Sequence, residues 1–363
     1  MGEPATARLS VDLDALAHNF HVLKAEAGGA EVAPVLKADG YGLGAAQTGR
    51  RLWAEGARSF FVARLAEAEA LRAALGPQRG ATIYVLDGFT PGSGSRLEAA
   101  GLTPVLMSLS QVAAASAWAT AGGRSWQVAL HVDTGMNRQG VTPDQARELA
   151  KNDAPANLDV GLVMSHLGSA TEPQDLRNAN QLKNFLEVRS VFPQARASLA
   201  ASAGIFLGPD YVFDVVRPGV SLYGGGPEER PDGRLKAVPS LTAPILDIRE
   251  LGPGDIVGYG SSVRIERPVR AAVVAAGYAD GVIRATKAGG YAWLDGARRD
   301  LLVVNMDLIV IDIGDAKAAV GDPVELLGAN VHLDDLATAA GTVAHEILVR
   351  LSPRAERTYQ GEV

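Results

Sequence analysis

An α/β chain is expected: an N-terminal (β/α)8 TIM-type barrel followed by a mainly-β domain. Short apolar, β-rich runs alternate with Ala-rich segments of helical spacing from about residue 12 to 225. Eight such units occupy that stretch, which suits a closed barrel better than an open doubly wound sheet. Beyond Gly224 the texture changes to short β runs punctuated by Gly-Pro and Asp-Gly.

The eight strand candidates are residues 32–36, 60–63, 82–86, 102–106, 128–132, 160–164, 197–200 and 213–216. Their near-continuous apolar character fits a parallel sheet covered on both faces. Asp12 or Asp14 caps a first helix through Leu16, Phe20 and Leu23, and further helices are expected over 63–75, 111–121 and 175–192. Gly224-Gly225-Gly226-Pro227 and the charged residues to Arg234 read as a linker. After it come β runs at 243–251, 269–276, 301–304, 308–313 and 324–327, with one short helix at 334–340. The domain spans are therefore 12–228 for the barrel, and 1–11 with 229–363 for the β domain.

Composition narrows the function classes. A 47% hydrophobic chain of 363 residues can bury a large core. The net charge of −7, with scattered basic residues, argues against nucleic acid or an acidic membrane as partner. The absence of cysteine excludes disulfides, thiol nucleophiles and cysteine-ligated metals. The N-terminus lacks a basic-then-apolar signal and no long apolar span occurs, so a cytoplasmic protein is expected.

The most informative segment is Val35-Leu36-Lys37-Ala38-Asp39-Gly40-Tyr41-Gly42-Leu43-Gly44. A lysine at the inner end of an apolar strand is costly to bury. Chemistry that wants one there is usually a Schiff base, because desolvation frees the amine as a nucleophile. The bland alternative is a snorkelling lysine before a turn. Other strand ends decide between them. The fifth delivers His131, Asp133 and, after Thr134-Gly135-Met136-Asn137, Arg138; the sixth Ser165 and His166; the seventh Ser202; the eighth Arg217 and Gly219. Reactive and anion-binding groups thus gather at the end of the barrel where active sites form. The set suits a phosphorylated cofactor held by its aldehyde. Lys37 supplies the amine, while Tyr41, Ser202 and the amides around Gly219 suit a phosphate. Arg217 and Arg138 suit a ring nitrogen or a carboxylate. In the second domain Tyr259 sits between glycines, Tyr278 follows an apolar strand, and Met306 lies between two strands.

With these residues in place, the chain resembles the alanine racemases, pyridoxal-phosphate enzymes built from a barrel and a β domain. The likeness runs nearly end to end, through Arg8–Asp14, the Lys37–Gly44 segment, Asp133–Arg138, Ser165-His166-Leu167, Val216–Gly224, Tyr259 and Gly277–Gly281. It implies that Lys37 holds pyridoxal 5'-phosphate and is one acid/base, and that Tyr259 of the partner subunit in a homodimer with shared active sites is the other. It further implies that His166 tunes that tyrosine and that Arg217 meets the pyridine nitrogen. Tyr41, Ser202, Gly219 and Val220 would line the phosphate site. Arg138 and the Met306 backbone would hold the substrate carboxylate, and Tyr278 the entry. Racemisation needs proton removal on one face of Cα and delivery on the other, hence two bases. A tyrosine serves only where positive charge lowers its ordinary value of about 10. The implied activity interconverts L- and D-alanine and supplies D-alanine for peptidoglycan.

Two positions depart from the family pattern. His131 stands where many members have a carbamylated lysine that orients the arginine matching Arg138. A histidine cannot supply that anion, so a bound anion, a water or a nearby carboxylate is expected to replace it. Pro353 stands where some members have a phosphate-binding tyrosine, so fewer phosphate contacts are expected. Among rivals, a related decarboxylase of basic amino acids typically uses a cysteine that this chain lacks. A serine hydrolase lacks support because Ser202 follows Ala200 rather than a glycine two residues earlier. A cofactor-free phosphate-binding barrel and racemisation of another amino acid stay open.

Overall fold

The computed structural model describes residues 6–76, 80–151, 157–261 and 263–362. Small parts of the expected domain spans, residues 1–5 and 363 among them, lie outside the described residues. Along the chain, β1 (Arg8–Asp12) and α1 (Leu13–Glu26) lead into β2 (Glu31–Val32), α2 (Lys37–Tyr41), α3 (Ala45–Ala54), β3 (Ser59–Val62), α4 (Leu65–Leu75), β4 (Thr82–Val85) and α5 (Gly94–Ala99). There follow β5 (Thr103–Leu106), α6 (Leu109–Ala121), β6 (Trp126–His131), α7 (Pro143–Lys151), β7 (Leu158–Met164), α8 (Leu176–Val191), β8 (Arg196–Ser198), α9 (Ser202–Ile205) and β9 (Val215–Val216). The remainder is β10 (Pro239–Leu251), β11 (Ile256–Val257), β12 (Val263–Arg264), β13 (Val269–Val274), β14 (Tyr291–Leu294), β15 (Ala297–Val304), β16 (Ile309–Asp312), β17 (Pro323–Leu327), α10 (Leu333–Ala340), α11 (Ala344–Arg350) and β18 (Glu356–Gln360). Two compact units result, one of residues 19–222 and one of residues up to 18 together with 223–362.

In the first unit, β3 to β8 form a six-stranded parallel sheet in sequence order. A second parallel pair joins β2 to β9, and single bridges link Val35 to Phe61 and Ala201 to Arg217. Every residue of β3 and β5 is buried, as a sheet covered on both faces requires. Phe60, Phe61, Phe185, Leu36, Leu43 and Leu52 are fully buried, each worth about 2 kcal/mol of transfer free energy. Each of the eight expected strand segments contains strand or bridge pairing. The first is shorter than its apolar run, because Pro34 has no N–H to continue the ladder. The starts of α6 and α8 carry side-chain caps: Ser108 Oγ accepts from Gln111 N–H (3.2 Å), and Asp175 Oδ1 from Arg177 N–H (2.9 Å).

The second unit is an eight-stranded sheet in the order β13-β16-β15-β14-β17-β10-β1-β18, with β13 also paired to β10. The long β10 makes that closure possible: its first half pairs with β1 and β17, its second half with β13. Residues 239–245 of β10 alternate buried and half-buried, the period-2 signature of one core face. Asp12 Oδ1 accepts from Ala15 N–H (2.8 Å), so Asp12 rather than Asp14 caps α1.

Several features of this unit were not foreseen, the short β11–β12 pair among them. Two short helices follow β17 rather than one, because the Ile347-Leu348-Val349 run of α11 has no period that separates helix from strand. β14 is a four-residue strand that follows Gly289 and Gly290 and pairs with β15 and β17. β18 (Glu-Arg-Thr-Tyr-Gln) has no buried face because it is an edge, held by parallel pairing to β1. Among the described residues, no helix is long and apolar enough to cross a membrane.

Candidate active site

The site begins where β2 ends. Val35 N–H donates to the Pro218 carbonyl (2.9 Å) and Leu36 N–H to the Phe61 carbonyl (2.8 Å), tying the approach to Lys37 to both flanking strands. Lys37 then opens α2, a turn of left-handed backbone: Ala38 (φ 53°, ψ 47°), Asp39 (54°, 52°), Gly40 (63°, 43°) and Tyr41 (φ 58°). Left-handed backbone costs a residue with a Cβ about 1 kcal/mol. Hydrogen bonds offset this: Gly42 N–H to the Ala38 carbonyl (2.7 Å), Gly44 N–H to the Asp39 carbonyl (2.8 Å), and Ala45 N–H to Asp39 Oδ1 (2.8 Å). Lys37 Nζ lies 6.0 Å from the centre of the Tyr41 ring. Burial pulls the Lys37 amine below its usual range, the Arg138 charge adds to that, and Glu67 opposes it.

Tyr41 is buried, and burial pushes its phenol well up, so the hydroxyl stays protonated and can donate. It reaches Gly219, where a Cβ would lie 2.1 Å from the Tyr41 hydroxyl; glycine is required there for space. Ser202 Oγ accepts from the N–H of Gly219 (2.9 Å) and of Ser221 (3.3 Å). The Ser221 hydroxyl, buried beside them, has no hydrogen-bond partner among the described residues. Tyr41, Ser202, Gly219, Val220 and Ser221 therefore make a cradle of hydroxyls and backbone amides, with the unused capacity on the Ser221 hydroxyl. Ser221 escaped the sequence reading, since a serine inside an apolar run carries no signal of burial.

Beside the cradle lies Arg217, 4% exposed. It donates to the Ser198 hydroxyl and to the carbonyls of Ser165 (2.6 Å) and Leu199 (3.4 Å). Burial pulls its guanidinium down to about 9, which leaves it charged at pH 7. Neutral oxygens surround the cation, and among the described residues no ion pair to a carboxylate offsets it. His166 is driven well below its ordinary value by burial first, then by Arg217, Arg138, His131 and Lys37, so it is neutral. His131 is lowered to about 4 by burial, then by Arg217 and Arg138, with Asp133 opposing. It too is neutral at pH 7, and its Nδ1 lies 3.4 Å from Gln139 Nε2.

Asp133, grouped with the reactive strand-end residues by sequence, has a structural task. Its Oδ1 accepts from the N–H groups of Gly135 (2.9 Å), Met136 (2.8 Å) and Asn137 (3.1 Å), which shapes the loop carrying Arg138. Burial pushes its carboxyl up, but these donors outweigh it and the net shift is down. Arg138 is exposed and forms no ion pair with a carboxylate among the described residues. Of the replacements expected for the missing anion, a neighbouring carboxylate is thus not found. Under the loop, the Thr134 and Ser165 hydroxyls lie 2.7 Å apart, and Gln181 Nε2 donates to the His166 carbonyl (2.9 Å). Sequence could not find Gln181, which comes from α8 and meets the loop only in space.

The other candidates belong to the second unit. Tyr259 stands 83% exposed on the turn between β11 and β12. Tyr278 and Met306 meet through backbone: Tyr278 N–H donates to the Asn305 carbonyl (2.9 Å) and Ala279 N–H to the Met306 carbonyl (3.0 Å). Arg354 clamps both turns, pairing with Asp280 (2.7 Å and 2.6 Å) and with Asp307 (2.5 Å). Pro353 supplies no hydroxyl, but its neighbour orders the Met306 turn. Among the described residues no group of three or more His, Asp or Glu side chains gathers as a metal site.

An α/β unit with a cationic strand-end site, coupled in one chain to a closed β unit carrying exposed tyrosines, defines a two-domain class of α/β-plus-β proteins. Residues 11–227 match the family model of the alanine racemase N-terminal domain, and residues 238–359 that of the C-terminal domain. The chain is 43% identical over 357 residues to the alanine racemase of Methylobacterium nodulans, covering 97% of this chain and 96% of that one. It is 42% identical to a catabolic alanine racemase of Mesorhizobium japonicum, covering 98% and 94%. Among solved structures, alanine racemase from Bartonella henselae with covalently bound pyridoxal phosphate superposes with a TM-score of 0.92 at 33% identity, covering 98% of this chain and 100% of that one. The chain belongs to the alanine racemase family, whose members are isomerases.

Proposed function

We propose that the protein interconverts L- and D-alanine with pyridoxal phosphate held on Lys37, using two bases on opposite faces of the substrate. The observation that carries this is the cradle of Tyr41, Ser202, Gly219, Val220 and Ser221 in the same turn-and-strand-end cluster as a desolvated lysine. The fit to the cofactor is good: an unpartnered buried hydroxyl in a cradle of hydroxyls and amides suits a phosphate, and a buried arginine without a carboxylate among the described residues suits a neutral ring nitrogen. Bound there, pyridoxal phosphate supplies an electron sink that acidifies the substrate Cα–H.

The chain's residues do the rest. Lys37 Nζ takes or returns the Cα proton on one face, and its lowered pKa keeps a larger share of the amine free to do so. The Tyr259 hydroxyl of the partner subunit does so on the other, which accounts for its 83% exposure within one chain. Arg138 and the Met306 N–H bind the substrate carboxylate; no hydrogen bond occupies that N–H among the described residues. His166 helps set the tyrosine's basicity, Arg217 meets the pyridine nitrogen, and Tyr278 lines the entry. The Val35–Phe61 and Ala201–Arg217 bridges, with the β2–β9 pair, support reading the first unit as a closed (β/α)8 TIM-type barrel over residues 12–228. Residues 1–11 and 229–363 then form the β domain of a homodimer. The physiological task would be cytoplasmic supply of D-alanine for peptidoglycan, which rescue of a D-alanine auxotroph tests.

The deciding experiment incubates protein, pyridoxal phosphate and L-alanine in heavy water and follows D-alanine with Cα deuterium. Deuterated D-alanine supports the reading. Exchange without inversion would leave Lys37 as a base and reject the opposite-face tyrosine. Neither signal would reject alanine as substrate.

A further inference from the structure

Glu67 sits in the first turn of α4, and its carboxylate is divided between two elements. Its Oε2 accepts from the N–H groups of Ala63 (2.9 Å) and Arg64 (3.0 Å), satisfying donors at the start of α4. Its Oε1 turns the other way and accepts from Ala38 N–H (2.8 Å), the peptide immediately after Lys37. That second bond is unnecessary for capping a helix. It falls on backbone where Ala38, Asp39 and Tyr41 hold φ of 53°, 54° and 58° while carrying side chains. Such backbone persists only where its surroundings over-determine it. The backbone bonds Gly40 to Leu36, Gly42 to Ala38 and Gly44 to Asp39 are internal to residues 36–44, and Asp39 Oδ1 ties the turn to α3 through Ala45 N–H, whereas the Glu67 bond anchors it to α4.

We infer that Glu67 is a positioning residue for the reaction: by holding Ala38 N–H it fixes the left-handed turn that presents the Lys37 amine and the Tyr41 hydroxyl to one ligand. This rests on the proposed attachment of pyridoxal phosphate at Lys37. The charge of Glu67 acts in support, opposing the burial and the Arg138 cation that pull the Lys37 amine down.

The test uses holoenzyme of the wild type, Glu67→Ala and Glu67→Gln, with Glu69→Gln as control, since Glu69 pairs with Arg96 (2.5 Å) rather than with the turn. Cofactor dissociation constant, the pH midpoint of the cofactor–lysine absorbance, kcat and KM are measured separately. In Glu67→Ala, cofactor binding and kcat each fall by about tenfold or more, the scale of a misplaced reacting group, while KM for alanine changes less. Glu67→Gln is intermediate and its absorbance midpoint moves to lower pH, a change that loss of a helix cap would not cause. Glu69→Gln matches the wild type. Folded Glu67 variants with wild-type cofactor binding, midpoint and kcat overturn the inference; if Glu67→Ala does not fold, Glu67→Gln decides on the same readouts. Borohydride reduction and peptide mapping of the wild type keep the two readings apart. Cofactor on a residue other than Lys37 rejects the functional reading, whereas cofactor on Lys37 with unaffected Glu67 variants rejects only the positioning role.

Discussion

His131 shows how a single side chain acquires a property from its neighbours. Its pKa, lowered to about 4 from an ordinary 6.5, means that the unfolded chain binds a proton the folded chain refuses. The stability this neutral histidine contributes is therefore fully present above about pH 6.5 and drains away as pH falls toward 4, on the order of 3 kcal/mol in all. Urea titrations at pH 7 and pH 4.5 should show His131→Gln losing less stability on acidification than the wild type; equal losses would show that the acid lability lies elsewhere. Gly219 makes the converse point, since its value is the absence of a side chain. A Cβ 2.1 Å from the Tyr41 hydroxyl must displace that ring, and overpacking of this kind costs about 1–3 kcal/mol. Gly219→Ala is expected to raise the pyridoxal phosphate dissociation constant about tenfold or more, with the fold intact by circular dichroism.

Turns rather than helices or strands carry much of the candidate chemistry, and charged residues hold several of them. Asp133 gathers three N–H groups to present Arg138, and Arg354 joins the turns at Tyr278–Asp280 and Asn305–Asp307. Asp280 is 3% exposed, so removing Arg354 leaves a buried carboxylate without its cation, at a cost of about 2 kcal/mol. Arg354→Met should lower the melting temperature and raise KM for alanine while leaving cofactor absorbance unchanged, and Arg354→Lys should recover part of the stability. An unchanged KM would separate the clamp from substrate binding.

The proposed homodimer makes its own prediction, because a shared site takes Lys37 from one subunit and Tyr259 of the partner subunit. Lys37→Ala and Tyr259→Ala should each be inactive alone. After mixed refolding, roughly half the dimers are hybrids and each hybrid keeps one intact site, so about a quarter of wild-type activity should return. No recovery on mixing, with hybrids verified by mass, would place both bases in one chain.

Much of this was legible in the residues themselves. The period of apolar positions located all eight strands of the first unit, since burial on both faces writes itself into composition. Lys37, Arg217, Ser202 and Gly219 were marked because costly or space-saving residues stood at strand ends. Local chemistry of that kind survives in a linear string. Other features depend on groups far apart in sequence. Gln181 reaches the His166 carbonyl from α8, Arg354 reaches Asp280 across 74 positions, and β18 becomes a strand only by pairing with β1. The neutrality of His131 and His166, the orphan hydroxyl of Ser221 and the left-handed turn at Lys37 are likewise products of packing. A hydrogen-bond partner, a dielectric environment and a crowd of cations exist only once the chain has brought them together.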